Sequence, residues 1–443
     1  MNIAFNYLLI VNLFILKLIK KDFQFLLYGS FASFGTYFCM YAFRKPFTVA
    51  TFENLSFWDI DYKIILIIAQ VLGYMLSKFL GIKLISELKP SKRIYYLFGM
   101  IFFAESSLIL FAITPIPYNF IFMFFNGLSL GMVWGVVFSY LEGRKLTEFL
   151  GVALCSSFIV SSGAVKTVGL LVMNSLQVSQ FWMPAVTGAL FIIPFVVFSL
   201  LLNKMPKPTK EDKRLRVERN PMTSKDRKKV FKTFFFPIVI LVFFYLFLTA
   251  LRDFRDNFSR EIWDAIGFEG NTSVYTVSEI PIAILVLIII GGLGFVKNNF
   301  KAFISYHYLL IFGTIFIGAS TLLFQIGIIS SMFWMICIGF GLYISYVPFN
   351  CIFFDRMIAT FCIKGNAGYL IYIADAFGYL GSIVVLLYKN FGQNSISWLH
   401  FFINGTYFIA ILGTVISFIS LTHFRRKYKK KESRHVQTNL NIA

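Results

Sequence analysis

The sequence has little charge. Asp, Glu, Lys and Arg make up only 14% of its 443 residues, whereas an ordinary soluble domain carries about 25%. Hydrophobic residues account for 58% of the chain, and the mean hydropathy is +0.74. This composition excludes a soluble globular enzyme. It also excludes an intrinsically disordered chain, which is poor in apolar side chains.

Cysteine is scarce as well, with five residues in the chain, so a disulfide-stapled fold is excluded. The four histidines lack the spacing of metal ligands, and no HExxH, CxxC, GxSxG or Walker A motif occurs. We therefore predict no metal, no cofactor and no catalytic residue. ATP-driven transport by this chain is not expected.

Long apolar runs dominate what the sequence does contain. A bilayer core of about 30 Å is crossed by roughly 20 apolar helical residues. The sequence therefore predicts an all-α polytopic membrane protein with twelve transmembrane helices, at residues 23–52, 64–86, 94–114, 119–141, 149–174, 181–203, 234–262, 274–296, 303–327, 331–354, 366–388 and 399–421.

Residues 1–22 form a further apolar stretch that lacks the basic start and the cleavage site of a signal peptide. We interpret this stretch as a cytoplasmic segment that lies on the membrane surface. The alternative is a thirteenth membrane segment at residues 3–16.

The basic residues are distributed unevenly. The net charge is +20, and if both termini are cytoplasmic, 32 of the 41 Lys and Arg residues lie on the cytoplasmic side. The positive-inside rule therefore predicts cytoplasmic N- and C-termini and explains the basic excess without nucleic acid. The opposite side then holds five basic residues, which are Lys45, Lys63, Arg255, Arg260 and Lys389.

A polar, strongly basic linker divides the predicted spans into two groups of six, an organisation typical of duplicated transporters. The predicted parts are an N-terminal segment, a first six-helix half, the linker, a second half and a basic cytoplasmic tail, at 1–22, 23–203, 204–233, 234–421 and 422–443.

The two halves carry charged residues at equivalent positions. An arginine stands near the outer end of the first span of each half, at Arg44 and Arg252. An acid and a base also end the fourth span of each half, and we interpret them as inner-gate charges: Glu142 with Arg144, and Asp355 with Arg356.

Four cations are predicted within spans, where each costs at least ~2.5–3.5 kcal/mol and by default faces a cavity or a partner. They are Arg44, Lys78, Lys166 and Arg252. Arg44 is expected inside a long helix kinked at Pro46. Together the four suit a phosphate or a carboxylate as ligand. The alternative for each is a side chain that extends to the membrane surface.

Acidic side chains also occur within spans. Asp375 stands mid-span among small residues, and Glu105 lies in the third span. Buried carboxylates in transporters often carry protons, so both are candidates for proton coupling. For Glu105 the alternative is a hydrogen bond to a neighbouring helix.

Several short motifs resemble the organophosphate:phosphate antiporter branch of the major facilitator superfamily. They are YAFRKPF around Arg44, SKFLG around Lys78, the run ending at Arg252, and FGYLG at 377–381. The resemblance touches both halves. It implies that Arg44 and Arg252 bind substrate phosphate from pseudo-symmetric positions and that Lys78 assists.

The sequence also departs from that branch. The histidine of the branch's fifth helix falls near Val160, Lys166 is an added cation, and the loop between the second and third spans retains only Gly81 of its usual pattern, with Glu87 in place of Asp. These departures favour a divergent bacterial group within the superfamily.

We therefore expect a monomeric secondary transporter in the bacterial inner membrane that moves a small anionic solute by alternating access. Anionic lipid is a possible partner of the basic linker and tail. Two alternatives stay open: a sensor or scaffold that has the transporter fold without transport, and a polytopic membrane enzyme.

Overall fold

The computed structural model describes residues 2–85, 87–215, 224–361, 367–392 and 395–440. Within them lie seventeen α-helices: α1 (Asn2–Tyr41), α2 (Tyr62–Leu84), α3 (Arg93–Ile113), α4 (Phe120–Leu130), α5 (Val133–Leu141), α6 (Thr147–Leu176), α7 (Met183–Asn203), α8 (Lys210–Leu215), α9 (Ser224–Thr233), α10 (Phe235–Asn257), α11 (Ser259–Ala265), α12 (Val274–Leu293), α13 (Asn299–Gln325), α14 (Ser331–Cys351), α15 (Phe353–Phe361), α16 (Ala367–Leu387) and α17 (Trp398–Leu440).

Shorter elements fill the connections. Two 3₁₀ turns occupy Pro46–Val49 and Pro90–Lys92, and a π turn occupies Tyr388–Gly392. Strands β1 (Ser56–Phe57) and β2 (Ile60–Asp61) pair antiparallel. This small hairpin closes the loop between α1 and α2.

Eleven helical segments of the described residues are long and apolar enough to cross a membrane, with α4 and α5 together forming one of them. Helix α1 is the twelfth helix of the arrangement, because it packs against α6 and α7 as the first helix of the first half. The protein is thus an all-α, multi-pass membrane protein with two six-helix halves, as predicted.

Each half packs internally through helix pairs such as α2 with α4 and α13 with α17. The halves meet mainly through two helix pairs, α2 with α16 and α6 with α12, and α14 also packs against α6. We call the end of the bundle that carries the linker the linker side, and the end where α1 stops and α2 begins the far side.

Glycines permit the closest helix contacts. A Cβ on Gly73 of α2 would lie 2.0 Å from the carbonyl oxygen of Phe124 in α4, and one on Gly163 of α6 would lie 2.2 Å from that of Tyr275 in α12. No side chain fits at such distances, so small residues set the helix separation both within a half and between the halves.

The first predicted span is wrong at its outer end. Helix α1 stops at Tyr41, and Arg44 and Lys45 follow in tight turns rather than inside a kinked helix. The backbone N–H groups of residues 42–44 bond to carbonyls three residues back, which tightens the chain into the 3₁₀ turn that begins at Pro46. Arg44 nevertheless remains buried.

Both ends of the chain are helical beyond the predicted spans. The backbone of α1 is continuous from Asn2, so residues 2–22 extend the first span as one helix. Helix α17 likewise continues past the predicted end of the last span at 421 as far as Leu440.

Candidate functional site between the two halves

Arg44 lies at the centre of the interface between the halves. It is only 3% exposed, and its guanidinium stands 3.8 Å from the ring centre of Tyr74 and 5.6 Å from that of Tyr379. Its Nε has no hydrogen-bond partner, and within the described part of the chain it forms no ion pair. A buried guanidinium that contacts rings and forms no ion pair lacks the direct counter-charge that burial normally requires.

Arg252 approaches the same tyrosine from the second half. Its Nη2 donates to Asp253 at 2.6 Å and to the hydroxyl of Tyr379 at 3.3 Å, and its guanidinium lies 4.1 Å from the ring centre of Tyr346. Ser382 donates to the second oxygen of Asp253 at 2.8 Å. The carboxylate beside Arg252 is therefore fully engaged.

Lys78 and Asp375 join the halves next to the arginines. The ammonium of Lys78 lies 2.8 Å from Oδ2 of Asp375, and Tyr245 donates to Oδ1 of Asp375 at 2.6 Å. Lys78 is 2% exposed and Asp375 is 3% exposed. Since one residue lies on α2 and the other on α16, this buried ion pair spans the interface.

Tyrosine rings hold the central cations in one place. The rings of Tyr74 and Tyr379, one from each half, stand 4.6 Å apart, and Lys78 is 5.5 Å from the centre of Tyr74. Three predicted site residues, Arg44, Lys78 and Arg252, are thus brought together. With Asp253 and Asp375 as the two carboxylates of this group, one positive charge is left without a counter-charge.

Lys166 lies apart from the other three cations. Its ammonium is 2.6 Å from Oδ1 of Asp256 and also donates to Ser259 at 3.0 Å. Lys45 contacts the other oxygen of Asp256 and donates to Asn257 at 2.8 Å. Two lysines of the first half therefore form ion pairs with one carboxylate of the second half on the far side.

The far-side charges are more buried than predicted. Lys45, Lys63 and Arg255 were expected at the outer surface, but all three are buried. They pair instead of facing water, because this part of the chain folds back between the halves. Lys63 pairs with Glu261, and Arg255 pairs with Glu279 at 2.7 Å. A small pocket beside them is lined by Ser162, Lys166, Arg255, Asp256, Tyr275 and Glu279.

A different ion pair joins the halves on the linker side. Arg356 lies 2.8 Å from Glu148 of the first half, and its second nitrogen donates to Asn299 at 2.6 Å. Of the residues predicted as inner-gate charges, Arg356 therefore bridges the halves through a residue that the prediction omitted. Glu142 and Asp355 are partly exposed.

Arg144, the remaining predicted inner-gate charge, holds the linker. It donates to the carbonyl of Pro206 at 2.6 Å, and the neighbouring backbone N–H of Lys145 donates to Asp212 at 2.9 Å. Burial acts to raise the pKa of Asp212, but backbone hydrogen bonds from Lys145 and Thr209 outweigh it, so the pKa lies below its ordinary value. The start of the linker is thus docked on the first half.

Glu105 does not join the central group. It lies on α3 next to Gly188 of α7, where a Cβ on that glycine would be 2.3 Å from Oε2 of Glu105. That oxygen is buried and has no hydrogen-bond partner. Among the described residues, no cluster of His, Cys, Asp and Glu is suited to hold a metal ion.

Asp253, Asp256 and Glu148 are the functional candidates that sequence reasoning missed. The first two lie in the run RDFRD that begins at Arg252, where an aspartate directly follows each arginine. An acid next to a cation that is predicted to be buried is a usable signal. The same run also resembles a boundary with water, because four of its five residues are charged.

Two six-helix halves pack through α2–α16 and α6–α12, with paired charges buried between them, and this fold is shared with solved membrane transporters. The crystal structure of a D-xylose-proton symporter is similar over 90% of this chain and 97% of the symporter, with a TM-score of 0.58 and 14% identity. A point mutant of the nucleoside transporter NupG is similar over 90% of this chain and 100% of that chain, with a TM-score of 0.55 and 16% identity.

The chain belongs to the family described as "Family of unknown function (DUF5690)", whose model matches residues 46–427. No curated protein matches the sequence. At 14% and 16% identity, the two transporters share the fold with this chain, and the chemistry of the site must be argued from its own residues.

Proposed function

We propose that this protein is a secondary active transporter that moves a small anionic solute, a phosphate ester, phosphate or carboxylate, by alternating access. The observation that carries the proposal is Arg44, a buried guanidinium without a carboxylate, facing the same tyrosine as Arg252 of the other half. An anion between the two arginines would supply the missing counter-charge.

Charge and geometry both favour an anion over a neutral solute. The central group has one positive charge in excess, and an uncompensated buried charge is costly. A guanidinium presents donors in a planar fork that fits two oxygens of a phosphate or carboxylate. The surrounding tyrosine rings and hydroxyls suit the organic part of such a solute.

Binding of the anion would also draw the halves together, because each half contributes one arginine. Alternating access then requires the contacts at one end to break while those at the other end hold. Asp256 with its two lysines would form the far-side gate, and Glu148 with Arg356 would form the linker-side gate. The ion pairs of both proposed gates are formed in this conformation.

We assign proton coupling to Asp375, with Glu105 as a second candidate. Protonation of Asp375 would remove its charge and release Lys78, which breaks an ion pair between the halves at the centre of the site. Glu105 has a buried, unpartnered oxygen that is suited to carry a proton, but it lies between α3 and α7, and among the described residues it forms no ion pair with the central cations.

The linker side would face the cytoplasm of a bacterial inner membrane, because the basic linker and tail lie there. The same basic residues are suited to anionic lipid headgroups. We propose a monomer working as an antiporter, in keeping with the resemblance to the organophosphate:phosphate branch.

Thermal stability of the detergent-purified protein tests the ligand class. We expect stabilisation by inorganic phosphate, glycerol 3-phosphate or a short carboxylate, and none by xylose or uridine. Loss of a charge-assisted hydrogen bond costs about 1.5–3 kcal/mol. Arg44→Gln and Arg252→Gln should each therefore weaken anion binding by at least about tenfold, while Arg426→Gln, an exposed tail arginine, should not.

Counterflow in proteoliposomes tests transport itself. Vesicles loaded with phosphate should take up labelled anion, and both central arginine variants should abolish the uptake. Stabilisation by the neutral solutes alone would overturn the anionic assignment. Absence of both stabilisation and exchange with every solute would favour the scaffold interpretation.

A further inference from the structure

We propose that Cys155 and Cys351 form a dithiol modification site, which a small disulfide oxidises to a covalent bond between the halves, locking the linker side closed. Cys155 lies on α6 of the first half, and Cys351 ends α14 of the second. Both thiols are free in this structure.

The two cysteines lie close to each other across the interface. The Cys351 side chain interacts with that of Cys155 and donates to the carbonyl of Val347 at 3.2 Å. Cys155 is 0% exposed and Cys351 is 2% exposed. Gly151 makes room for this approach, since a Cβ on it would lie 3.2 Å from the Cβ of Cys351.

The contact depends on closure of the linker side. Cys155 follows Glu148 by two helical turns, and Cys351 precedes Arg356 by five residues. The Glu148–Arg356 ion pair therefore lies just beyond the thiols toward the linker. When that pair breaks and the linker side opens, the thiols separate and become accessible to a small oxidant.

The chemistry is two successive thiol–disulfide exchanges. In the open form, one cysteine thiol attacks the small disulfide, forms a mixed disulfide and releases one thiol. When the linker side closes, the second cysteine attacks the mixed disulfide, forms the Cys155–Cys351 bond and releases the second thiol. Two cysteine thiols are oxidised and one small disulfide is reduced to two thiols. The bond then ties α6 to α14 and prevents reopening.

Cross-linking of the full-length protein tests the site without requiring transport. A protease site is inserted into the linker, the protein is treated with 2,2′-dithiodipyridine and cleaved, and the halves are separated on a non-reducing gel. We expect the wild-type halves to stay joined until a reductant is added. Cys155→Ser and Cys351→Ser should each release them, as should the corresponding alanine variants.

Two other buried cysteines supply the matched controls. Cys39→Ser and Cys337→Ser should leave the cross-link intact. Separation of the oxidised wild-type halves, or a cross-link that persists in Cys155→Ser, would overturn the proposal. Size-exclusion profiles show whether each variant is folded, and the two substitutions at each position guard against one that is not.

Arrest of transport is the part of the inference that rests on the proposed function. Oxidation should stop counterflow of the wild type, a reductant should restore it, and Cys155→Ser should be insensitive. A cross-linked protein that still exchanges anions would refute the lock. A cross-link in a protein that shows no exchange even when reduced would count against the transporter assignment and leave the dithiol site standing.

Discussion

Replacing Asp375 with Asn would leave the ammonium of Lys78 buried without a carboxylate. Both residues are at most 3% exposed, and the Nζ–Oδ2 distance is 2.8 Å. Removing one partner of such a pair typically costs about 3–5 kcal/mol of unfolding free energy. The loss also has an independent upper limit, because the buried ammonium of Lys78 can give up its proton instead of remaining charged. Deprotonating an ordinary lysine at pH 7 costs about 4.6 kcal/mol. We therefore expect a loss of about 3–4.6 kcal/mol.

This upper limit on the lost free energy depends on pH, and it changes with pH in opposite directions for the two partners. For Asp375→Asn the orphaned lysine becomes easier to neutralise as the pH rises, so the upper limit falls to about 1.9 kcal/mol at pH 9. For Lys78→Met the orphaned carboxylate has an upper limit of about 4.2 kcal/mol at pH 7, which decreases as the pH falls. The two variants should thus respond to pH in opposite directions.

The measurement is unfolding in mixed detergent micelles, followed by helical circular dichroism, for both single variants and the double variant. The double variant should recover most of the loss, because no unpaired charge is left. Glu211→Gln, which breaks an exposed pair with Lys145, is the matched control and should cost at most about 1 kcal/mol. Equal pH slopes for the single variants, or a double variant as unstable as the worse single, would refute the reasoning.

Three further predictions concern packing, gating and the linker. Gly73→Ala should prevent the approach of α2 and α4 and sharply lower the yield of folded protein. Gly99→Ala, where nothing lies within 4 Å, should leave it unchanged; equal yields would contradict the packing argument. Arg356→Gln should remove the ion pair that joins Glu148 to the second half, and the two thiols behind it should react faster with N-ethylmaleimide; unchanged rates would argue against a gate. Because the pKa of Asp212 is lowered by docking, linker docking should be stable above the ordinary Asp value of about 3.9 and weaken as the pH falls through the lowered pKa. Distances between spin labels on the linker and α6 measure this, and docking that weakens toward high pH would contradict it.

The burial of the central cations could be predicted from the sequence for a simple reason. A charge within a long apolar run is recognisable without any tertiary information, which is how Arg44, Lys78 and Arg252 were found. Their partners are less accessible, because the ion pair between Lys78 and Asp375 joins residues 297 positions apart. Local hydropathy carries no signal for such pairing.

The errors at the far side have the same origin. Lys45 and Asp256 stand in short charged runs that resemble a water boundary, yet both fold between the halves and bind each other. The end of α1 at Tyr41 was equally hidden, because no proline or charge precedes Arg44 in that span. A segment that turns back inside the protein therefore has the same sequence pattern as a segment that leaves the membrane.

The long last helix transmits a rotation of the second half to the tip of the tail. Beyond residue 421, α17 continues for about 28 Å at 1.5 Å per residue. It is fixed to the second half where Lys427 donates to the carbonyl of Thr233 and Lys431 donates to that of Thr360. A rotation of the second half by about 10° would therefore swing the tip of the tail by about 5 Å. A motion that is small at the arginines becomes large at the chain terminus, where an attached probe can follow it.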